Sequence, residues 1–210
     1  MGKIRARTDG EMAARKAEIL QSAAERLMRE GYDAITLTTL AESTSISRTS
    51  IYTYYERKED VFVDLMIQEY KALEIEIVES FKEKRTREEF VRRLTEILFD
   101  RPVLLKLLSL QLPVRDGQYS DEMMRRFVAA TIPYAKALRE ALSLQFPEAS
   151  ADDTDRFMVQ FSMYVNTLYV AGHLPDSLRD ALEQADYTGR LPDAKAICCD
   201  GLMLLSAALE

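Results

Sequence analysis

The chain has 210 residues, of which 47% are apolar, with only 7 Gly and 6 Pro and a formal net charge of −7. This composition indicates a globular, strongly helical protein with a sizeable core, and it excludes disordered, collagen-like and low-complexity classes. No apolar run is long enough to cross a bilayer, and the start, MGKIRARTDGEMAARK, lacks the apolar centre of a signal peptide. We therefore expect a cytoplasmic protein.

The distribution of charge is more informative than its sum. Residues 1–58 carry ten Lys or Arg and eight Asp or Glu, a net charge of +2, so the remainder of the chain carries −9. The amino-terminal part thus has a charge balance compatible with a nucleic-acid partner, whereas the rest is acidic. Its basic residues gather at both ends: Lys3, Arg5, Arg7, Arg48, Arg57 and Lys58.

Enzymatic and metal chemistry have little support in the residues. His173 is the only histidine, and the two cysteines, Cys198 and Cys199, are adjacent. Neighbouring residues of a helix point about 100° apart, so this pair is poorly placed to form a disulfide. Two cysteines are also too few ligands for a zinc site. No glycine-rich phosphate loop or nucleophile elbow accompanies the histidine. We expect no enzymatic activity, cofactor or metal, and we interpret the cysteines as small buried hydrophobes, with redox sensing as the alternative.

Hydrophobic periodicity and capping signals predict helices throughout the chain and no strand. A helix over 11–30 stops at Gly31, and Thr36 caps a second helix that ends near Ser43. The turn TSIS follows, and Ser47 caps a third helix over 48–54. The later predicted helices cover about 56–83, 86–99, 102–112 before Pro113, Ser120 to the break at FPEAS with a kink at Pro133, 151–173 and 192–209.

Three short helices, the second and third joined by a four-residue turn, are typical of a helix-turn-helix, whose third helix enters the major groove. Arg48 suits bidentate contact with guanine, and the neighbouring hydroxyls suit bases or phosphates. Two tyrosines offer rings to sugars, and Lys58 lies at a helix N-terminus where backbone N–H groups favour phosphate. The DNA contacts predicted in this way are Ser47, Arg48, Thr49, Ser50, Tyr52, Tyr54 and Lys58.

Each of these residues, taken singly, is equally consistent with a turn, a cap or ordinary packing. Their combination is more specific: a capped turn, then a polar helix with almost no large apolar residue, then cations. Ile46 and Ile51 are the two positions expected to pack into the core formed by Leu40 and Ala41. The opposite side of the third helix is therefore predicted to face a polar partner.

The stretch GYDAITLTTLAESTSISRTSIYTYYERKEDVF resembles the amino-terminal DNA-binding domain of the TetR family of bacterial transcriptional repressors, and the match runs over about residues 19–61. The matching features are the helix that ends at Gly31, the Thr36 cap, Leu40-Ala41, and Ile51-Tyr52-x-Tyr54-Tyr55-x-x-Lys58. The resemblance implies an all-α protein in which a three-helix helix-turn-helix domain, 1–56, is fused to a larger helical ligand-binding and dimerisation domain, 57–210.

The resemblance also assigns roles to residues of the first domain. It adds Thr36 and Thr38 to the DNA contacts, and it implies that Tyr52 and Lys58 meet phosphates while residues 38 and 48–50 read bases. Two positions depart from the family pattern. Ser45 stands where the turn usually has glycine, and Thr49 stands where a small residue is common.

For residues 57–210 the resemblance implies effector binding and dimerisation. Two helices that are apolar on nearly all sides, 151–174 and 192–209, predict a four-helix interface between two copies, with a monomer core as the alternative. An apolar or aromatic effector fits the residue types of this part. The residues predicted to line its pocket are Phe99, Leu107, Gln111, Met123, Phe127, Tyr134, Phe161, Tyr164 and Tyr169.

We therefore expect a homodimeric repressor that binds a palindromic double-stranded DNA operator and is released when an effector shifts its conformational population. The residues are equally compatible with the opposite effect of the ligand, in which it acts as a corepressor and promotes DNA binding. Two alternatives stay open: a helical enzyme that depends on His173, and a protein-interaction module that kept the helix-turn-helix shape but lost DNA binding.

Overall fold

A computed structural model describes residues 2–112, 119–189 and 193–209, with the backbone alone for residues 2–9. The side chains of Lys3, Arg5 and Arg7, and the helix stop predicted at Pro113, lie outside the described residues. Throughout the described residues the chain is helical and has no strand, as predicted. None of these helices is both long enough and apolar enough to span a membrane.

Nine α-helices and two 3-10 segments make up the described chain. The 3-10 segments are Ser50–Thr53 and Ala207–Leu209. The α-helices are α1 (Gly2–Glu30), α2 (Leu37–Glu42), α3 (Lys58–Ser80), α4 (Arg87–Phe99), α5 (Pro102–Leu110), α6 (Asp121–Gln145), α7 (Ala151–Gly172), α8 (Asp176–Gln184) and α9 (Ala194–Ser206).

The predicted caps begin the helices as the sequence indicated. Thr36 and Thr86 each form a capping box, in which the threonine side chain accepts from the backbone N–H three residues on and the third side chain bonds back. Ser150 caps α7 by accepting from Asp153 N at 3.1 Å. Gly31, at φ +81°, ends α1 in the left-handed conformation that glycine adopts most easily.

Several predicted elements differ from the structure, and the first helix, predicted over 11–30, already begins at Gly2. The third helix, predicted over 48–54, is the 3-10 segment Ser50–Thr53, because serine and threonine hydroxyls there compete with the backbone for hydrogen bonds. The fourth helix, α3, ends at Ser80 rather than near residue 83. The short helix α8 was not predicted, since no side-chain cap marks its start and none of its residues is buried.

The helices pack into two compact units. The first comprises Met1–Glu69 with Leu112–Ala129, and the second comprises Tyr70–Gln111 with Ala130–Glu210. Helices α3 and α6 each contribute residues to both units. In the second unit α5 and α9 both pack on α7, and α9 also packs on α4, around a core that includes Phe90, Phe157 and Leu202.

Candidate nucleic-acid interface

The segment 44–58 has one buried side and one exposed side. Ile46 and Ile51 are buried together with Leu40 and Ala41 of α2, as predicted, and Tyr55 is buried at the end of the segment. The side chains of Ser47, Arg48, Thr49, Ser50 and Tyr52 are all exposed. We call these five exposed residues the recognition face. Because apolar anchors hold the segment from one side, its polar residues point to solvent as a set.

The hydroxyls of the recognition face are linked to one another. Ser47 Oγ lies 2.7 Å from Ser50 Oγ and 3.1 Å from Thr49 Oγ1, and it accepts from Ser50 N at 3.1 Å. Ser50 N and Ile51 N both donate to Ser47 O, at 3.0 and 3.1 Å. Ser47 therefore stabilises the turn that leads into the 3-10 segment, whose N-cap residue Thr49 makes no side-chain cap bond. The neighbouring hydroxyls keep hydrogen-bonding capacity for a ligand.

Arg48, the predicted guanine reader, is paired within the unit. Its Nη2 donates to Glu42 Oε1 at 2.6 Å, and Arg26 Nη2 lies 3.9 Å from Glu42 Oε2. Side-chain exposure is 68% for Arg48 and 41% for Glu42, so this pair is in water and exchanges partners easily. Sequence reasoning did not single out Glu42, although a carboxylate six residues before Arg48 was a usable signal.

The other predicted contacts surround this face with different exposure. Thr36 is exposed, but its hydroxyl already caps α2, whereas Thr38 and Tyr54 are half-buried. Lys58 Nζ donates to Tyr32 O at 3.1 Å and lies 4.3 Å from the centroid of the Tyr32 ring. The structure thus brings the predicted residues together in one unit, and their contacts with DNA stay a prediction.

The turn at Ser45 is held by α1. Glu18 Oε1 accepts from Ser45 N, and Glu18 Oε2 accepts from Ser45 Oγ at 3.0 Å. The backbone N–H of Ser45 is the main cause that lowers the pKa of the Glu18 carboxyl below its usual value. Among the described non-glycine residues, positive φ occurs at Gln111 and Asp186, so Ser45 is not in the left-handed conformation and replaces glycine there without backbone strain.

The nine residues predicted to line an effector pocket are divided between the units. Met123 and Phe127 belong to the first unit and the other seven to the second. Leu107 and Phe161 are buried in the core, and Gln111 is exposed at the end of α5. Two clefts of the second unit, of about 410 and 230 Å³, are lined by other residues. The predicted pocket therefore stays a prediction.

The aromatic members of that set have defined neighbours. Phe99 packs against the core of the second unit. Tyr134 lies 5.3 Å from Tyr70, ring centroid to centroid, and burial raises the pKa of Tyr70 to about 12. Tyr169 stacks on His173 at 4.0 Å, and the histidine Nδ1 lies 2.9 Å from Tyr169 O. His173 is thus engaged locally by its own helix end.

Tyr164 joins α7 to α9. Its hydroxyl donates to Ile197 O at 2.6 Å, and the phenol passes so close to Gly201 that a Cβ there would lie 2.3 Å from the oxygen. Cys198 is fully buried beside this contact, and burial raises its pKa to about 11, whereas Cys199 is half-buried. Cys198 is therefore the small buried hydrophobe that was predicted.

Both α7 and α9 also expose apolar side chains on their outer faces. On α7 these are Val159, Met163 and Val170, and on α9 they are Ile197 and Leu204. Met163 is 67% exposed and Leu204 is 78% exposed, unusually high values for large apolar residues of long helices. The spacings of 4, 7 and 11 residues place each set on one face of its helix.

Comparisons with known proteins agree with this architecture. A family described as bacterial regulatory proteins, tetR family, matches residues 19–65, and a C-terminal domain described as tetracyclin repressor-like matches residues 64–207. No curated protein matches the chain. The second of these matches alone covers more than half of the 210 residues.

Solved structures share the fold at low sequence identity. A fatty acid degradation regulator, FadR, of Bacillus halodurans has a TM-score of 0.60 and 18% identity, over 90% of this chain and 93% of that chain. FadR of Bacillus subtilis, solved with stearoyl-CoA, has a TM-score of 0.59 and 18% identity, over 92% and 99%.

A TetR-family regulator of Mesorhizobium loti has a TM-score of 0.57 and 18% identity, over 94% of this chain and 96% of that chain. At such identity these structures bear on the fold alone, and the family models carry the assignment. Regulators of this kind are not enzymes, which agrees with the expectation drawn from the residues. With an amino-terminal and a carboxy-terminal family model matching in succession, the chain belongs to the TetR family of bacterial transcriptional regulators.

Proposed function

We propose that this protein is a homodimeric transcriptional repressor whose recognition face binds a palindromic operator and whose second unit binds a small apolar or aromatic effector. The observation that carries the proposal is the sidedness of residues 46–55, with Ile46, Ile51 and Tyr55 buried and the hydroxyls and Arg48 exposed. A protein bound to DNA acts where the bacterial chromosome is, so we place it in the cytoplasm.

The exposed apolar faces of α7 and α9 support the dimer. A single short recognition segment covers only a few base pairs, so two half-sites about one helical turn apart are needed for affinity. Covering Val159, Met163 and Leu204 with the same residues of a second copy removes apolar surface from water. We propose the domain boundary near residue 56, with dimerisation through helices 151–174 and 192–209.

The proposed effector class rests on the residue types in the core of the second unit. The second unit has an apolar core with several aromatic side chains, which suits a ligand with few charges. The Bacillus subtilis neighbour was solved with stearoyl-CoA, and the identity of 18% carries the fold but not that ligand. For this chain the proposed effector stays a small apolar or aromatic compound that releases DNA.

DNA binding is tested by selection from a random double-stranded oligonucleotide library, followed by affinity measurements over a range of salt concentrations. We expect an enriched inverted repeat and an affinity that falls steeply with salt, because phosphate contacts release counterions. No enriched sequence together with a flat salt response would favour the alternative, an interaction module that no longer binds DNA.

The dimer is tested by analytical ultracentrifugation of Leu204→Glu. A charge on the proposed interface should shift the protein from dimer to monomer, because burying it without a partner is unfavourable. Leu178→Glu is the matched control, since Leu178 is also an exposed leucine of the second unit but lies on α8. A dimer that resists Leu204→Glu, or dissociates equally with both changes, would place the interface elsewhere.

A further inference from the structure

Asp64 is the one charged residue that is buried among those the structure describes, with 9% of its surface exposed. It lies on α3 between Val63 and Leu65, each of which is 1% exposed. A buried carboxylate is unfavourable unless it is paired and hydrogen-bonded, so its partners are fixed by strong interactions. The partners of Asp64 therefore identify which segments this residue holds in place.

Three segments of the first unit supply those partners. Tyr55 Oη donates to Asp64 Oδ2 at 3.0 Å, and Arg126 Nη2 donates to Oδ1 at 2.5 Å. Lys16 Nζ of α1 lies 3.8 Å from Oδ2 and 5.0 Å from the centroid of the Tyr55 ring. Both carboxylate oxygens thus accept a hydrogen bond, one from Tyr55 at the end of the 3-10 segment and one from Arg126 of α6.

Tyr55 connects this carboxylate to the recognition face. It is buried, and its backbone N–H donates to Ile51 O at 3.2 Å, so it closes the 3-10 segment that carries the exposed hydroxyls. Burial, then the negative charge of Asp64, raises the pKa of the Tyr55 phenol far above its usual value. The phenol therefore remains a donor to Asp64 throughout the physiological pH range.

Arg126 connects the same carboxylate to the first turns of α6. This helix is continuous through Pro133, whose nitrogen has no proton to donate to the carbonyl of Ala129, four residues earlier. Ala129 is also the last α6 residue that packs with the first unit. One backbone hydrogen bond is therefore missing between the start of α6 and the rest of its helix, and the pair of Arg126 with Asp64 holds that start against α3.

We propose that Asp64 is a positioning residue for the recognition face, and that the Arg126–Asp64 ion pair is the connection through which the start of α6 controls it. The inference rests on the proposed DNA-binding function and adds the residues that regulate it. When the Arg126 side chain moves away from Asp64, the carboxylate keeps only Tyr55 and the more distant Lys16 as partners. The 3-10 segment is then held less firmly. DNA must then order the segment on binding, which weakens affinity without removing a phosphate contact.

The test compares Arg126→Met with Arg125→Met in the full-length chain, on the sequence that the unmodified protein enriches from the random library. Arg125 is the matched control, because it precedes Arg126 on α6 and its ion pair with Glu122 is exposed. We expect Arg126→Met to lower affinity roughly 3- to 30-fold, a range typical of residues that couple distant sites, with the salt dependence unchanged. Arg125→Met should bind as the unmodified protein does.

Hydrogen exchange of backbone amides supplies a readout that needs no DNA. Arg126→Met should speed exchange over residues 50–57, and Arg126→Lys should restore protection because it keeps the charge. In an Asp64→Asn background, Arg126→Met should have no further effect on either measurement, since both changes act through one carboxylate. Thermal melts of each variant identify any that fail to fold, and Arg126→Lys remains informative in that event.

The possible outcomes test this inference separately from the proposed DNA-binding function. Unchanged affinity and unchanged exchange in Arg126→Met would overturn the inference while leaving DNA binding intact. A loss of affinity accompanied by a salt slope reduced by about one would make Arg126 a direct phosphate contact instead. If the unmodified protein enriches no sequence, the proposed function fails, and the exchange experiment still decides whether Arg126 holds the segment.

Discussion

Arg48 in the first unit and Arg101 in the second form ion pairs of the same length in very different surroundings. Arg48 Nη2 lies 2.6 Å from Glu42, with side-chain exposures of 68% and 41%. Arg101 Nη2 also lies 2.6 Å from its partner, Glu76, but the exposures are 18% and 24%. Arg101 in addition donates to Ala72 O at 3.2 Å, and Arg93 Nη2 donates to the other oxygen of Glu76 at 3.1 Å.

The distance between two charged groups is therefore not enough to tell what an ion pair contributes to stability. The exposed pair remains hydrated and is screened by salt, so Arg48 can exchange Glu42 for a base or phosphate at little cost. The partly buried pair joins α3, α4 and the residue before α5, where less water is available to replace either partner. One arginine is available to a ligand, and the other is part of the scaffold.

The largest effect is expected when the scaffold pair is broken. Arg101→Met should lower the free energy of unfolding by about 2–3 kcal/mol, less than for a fully buried pair because Glu76 keeps Arg93 and some water. Urea denaturation measures the change. Arg139→Met is the control, since its pair with Asp155 is about half exposed and should contribute less than about 1 kcal/mol. Equal losses in the two variants would contradict the comparison.

Arg48→Ala should act on DNA recognition and leave stability nearly unchanged. We expect it to reduce discrimination between the enriched site and a scrambled site by roughly 1–3 kcal/mol, measured by fluorescence anisotropy. Lys58→Ala should instead weaken binding to both sites alike and lower the salt slope by about one. If each variant affects matched and scrambled sites equally, the recognition face is wrongly assigned.

Glu42→Gln removes the charge that holds Arg48 in the absence of DNA. Affinity for scrambled DNA should rise by about 0.5 kcal/mol, because an exposed acidic competitor of the phosphates is gone. Discrimination should fall, since Arg48 is no longer held in one orientation. The control is Glu25→Gln, which also removes one negative charge but does so on α1, and it should change binding less. A larger change in Glu25→Gln would contradict a role specific to Glu42.

The smallest effect concerns the turn at Ser45 and its dependence on pH. The pKa of Glu18 is lowered in the folded chain, so its contribution to stability is present above its ordinary value and is lost as pH falls. The melting temperature of the unmodified protein should therefore exceed that of Glu18→Gln at neutral pH, with the difference shrinking in acid. Ser45→Ala keeps the backbone bond to Glu18 and should retain the pH dependence.

Much of the fold and part of the candidate interface were predictable from local pattern. Thr36, Thr86 and Ser150 cap helices by bonding three residues along the chain, a spacing that is visible in the sequence. The buried pair Ile46 and Ile51 was likewise predicted, because one side of a short polar segment needs apolar anchors. The type of the third helix was wrong, since local hydroxyl competition is not visible in hydrophobic periodicity.

The partners of charged residues were mostly beyond sequence reasoning. Glu18 reaches Ser45 across 27 positions, and Arg126 reaches Asp64 across 62. No local spacing distinguishes Asp64 from the other acids of α3, although it alone is buried among those the structure describes. The nine residues predicted for an effector pocket show the same limit, because an aromatic at helical spacing serves equally in a core.

Local patterns in the sequence were enough to place the starts of the capped helices, the amino-terminal helix-turn-helix and the cluster of polar residues near residue 48. These are consequences of bonds and periodicities that span a few residues. Which charges are hydrated and which are buried depends on the tertiary structure, as does the hydrogen bond that Tyr55, unlike Tyr52, donates to Asp64. Exclusion of water depends on segments far apart in the chain meeting in space, and exclusion of water sets how strongly charges interact.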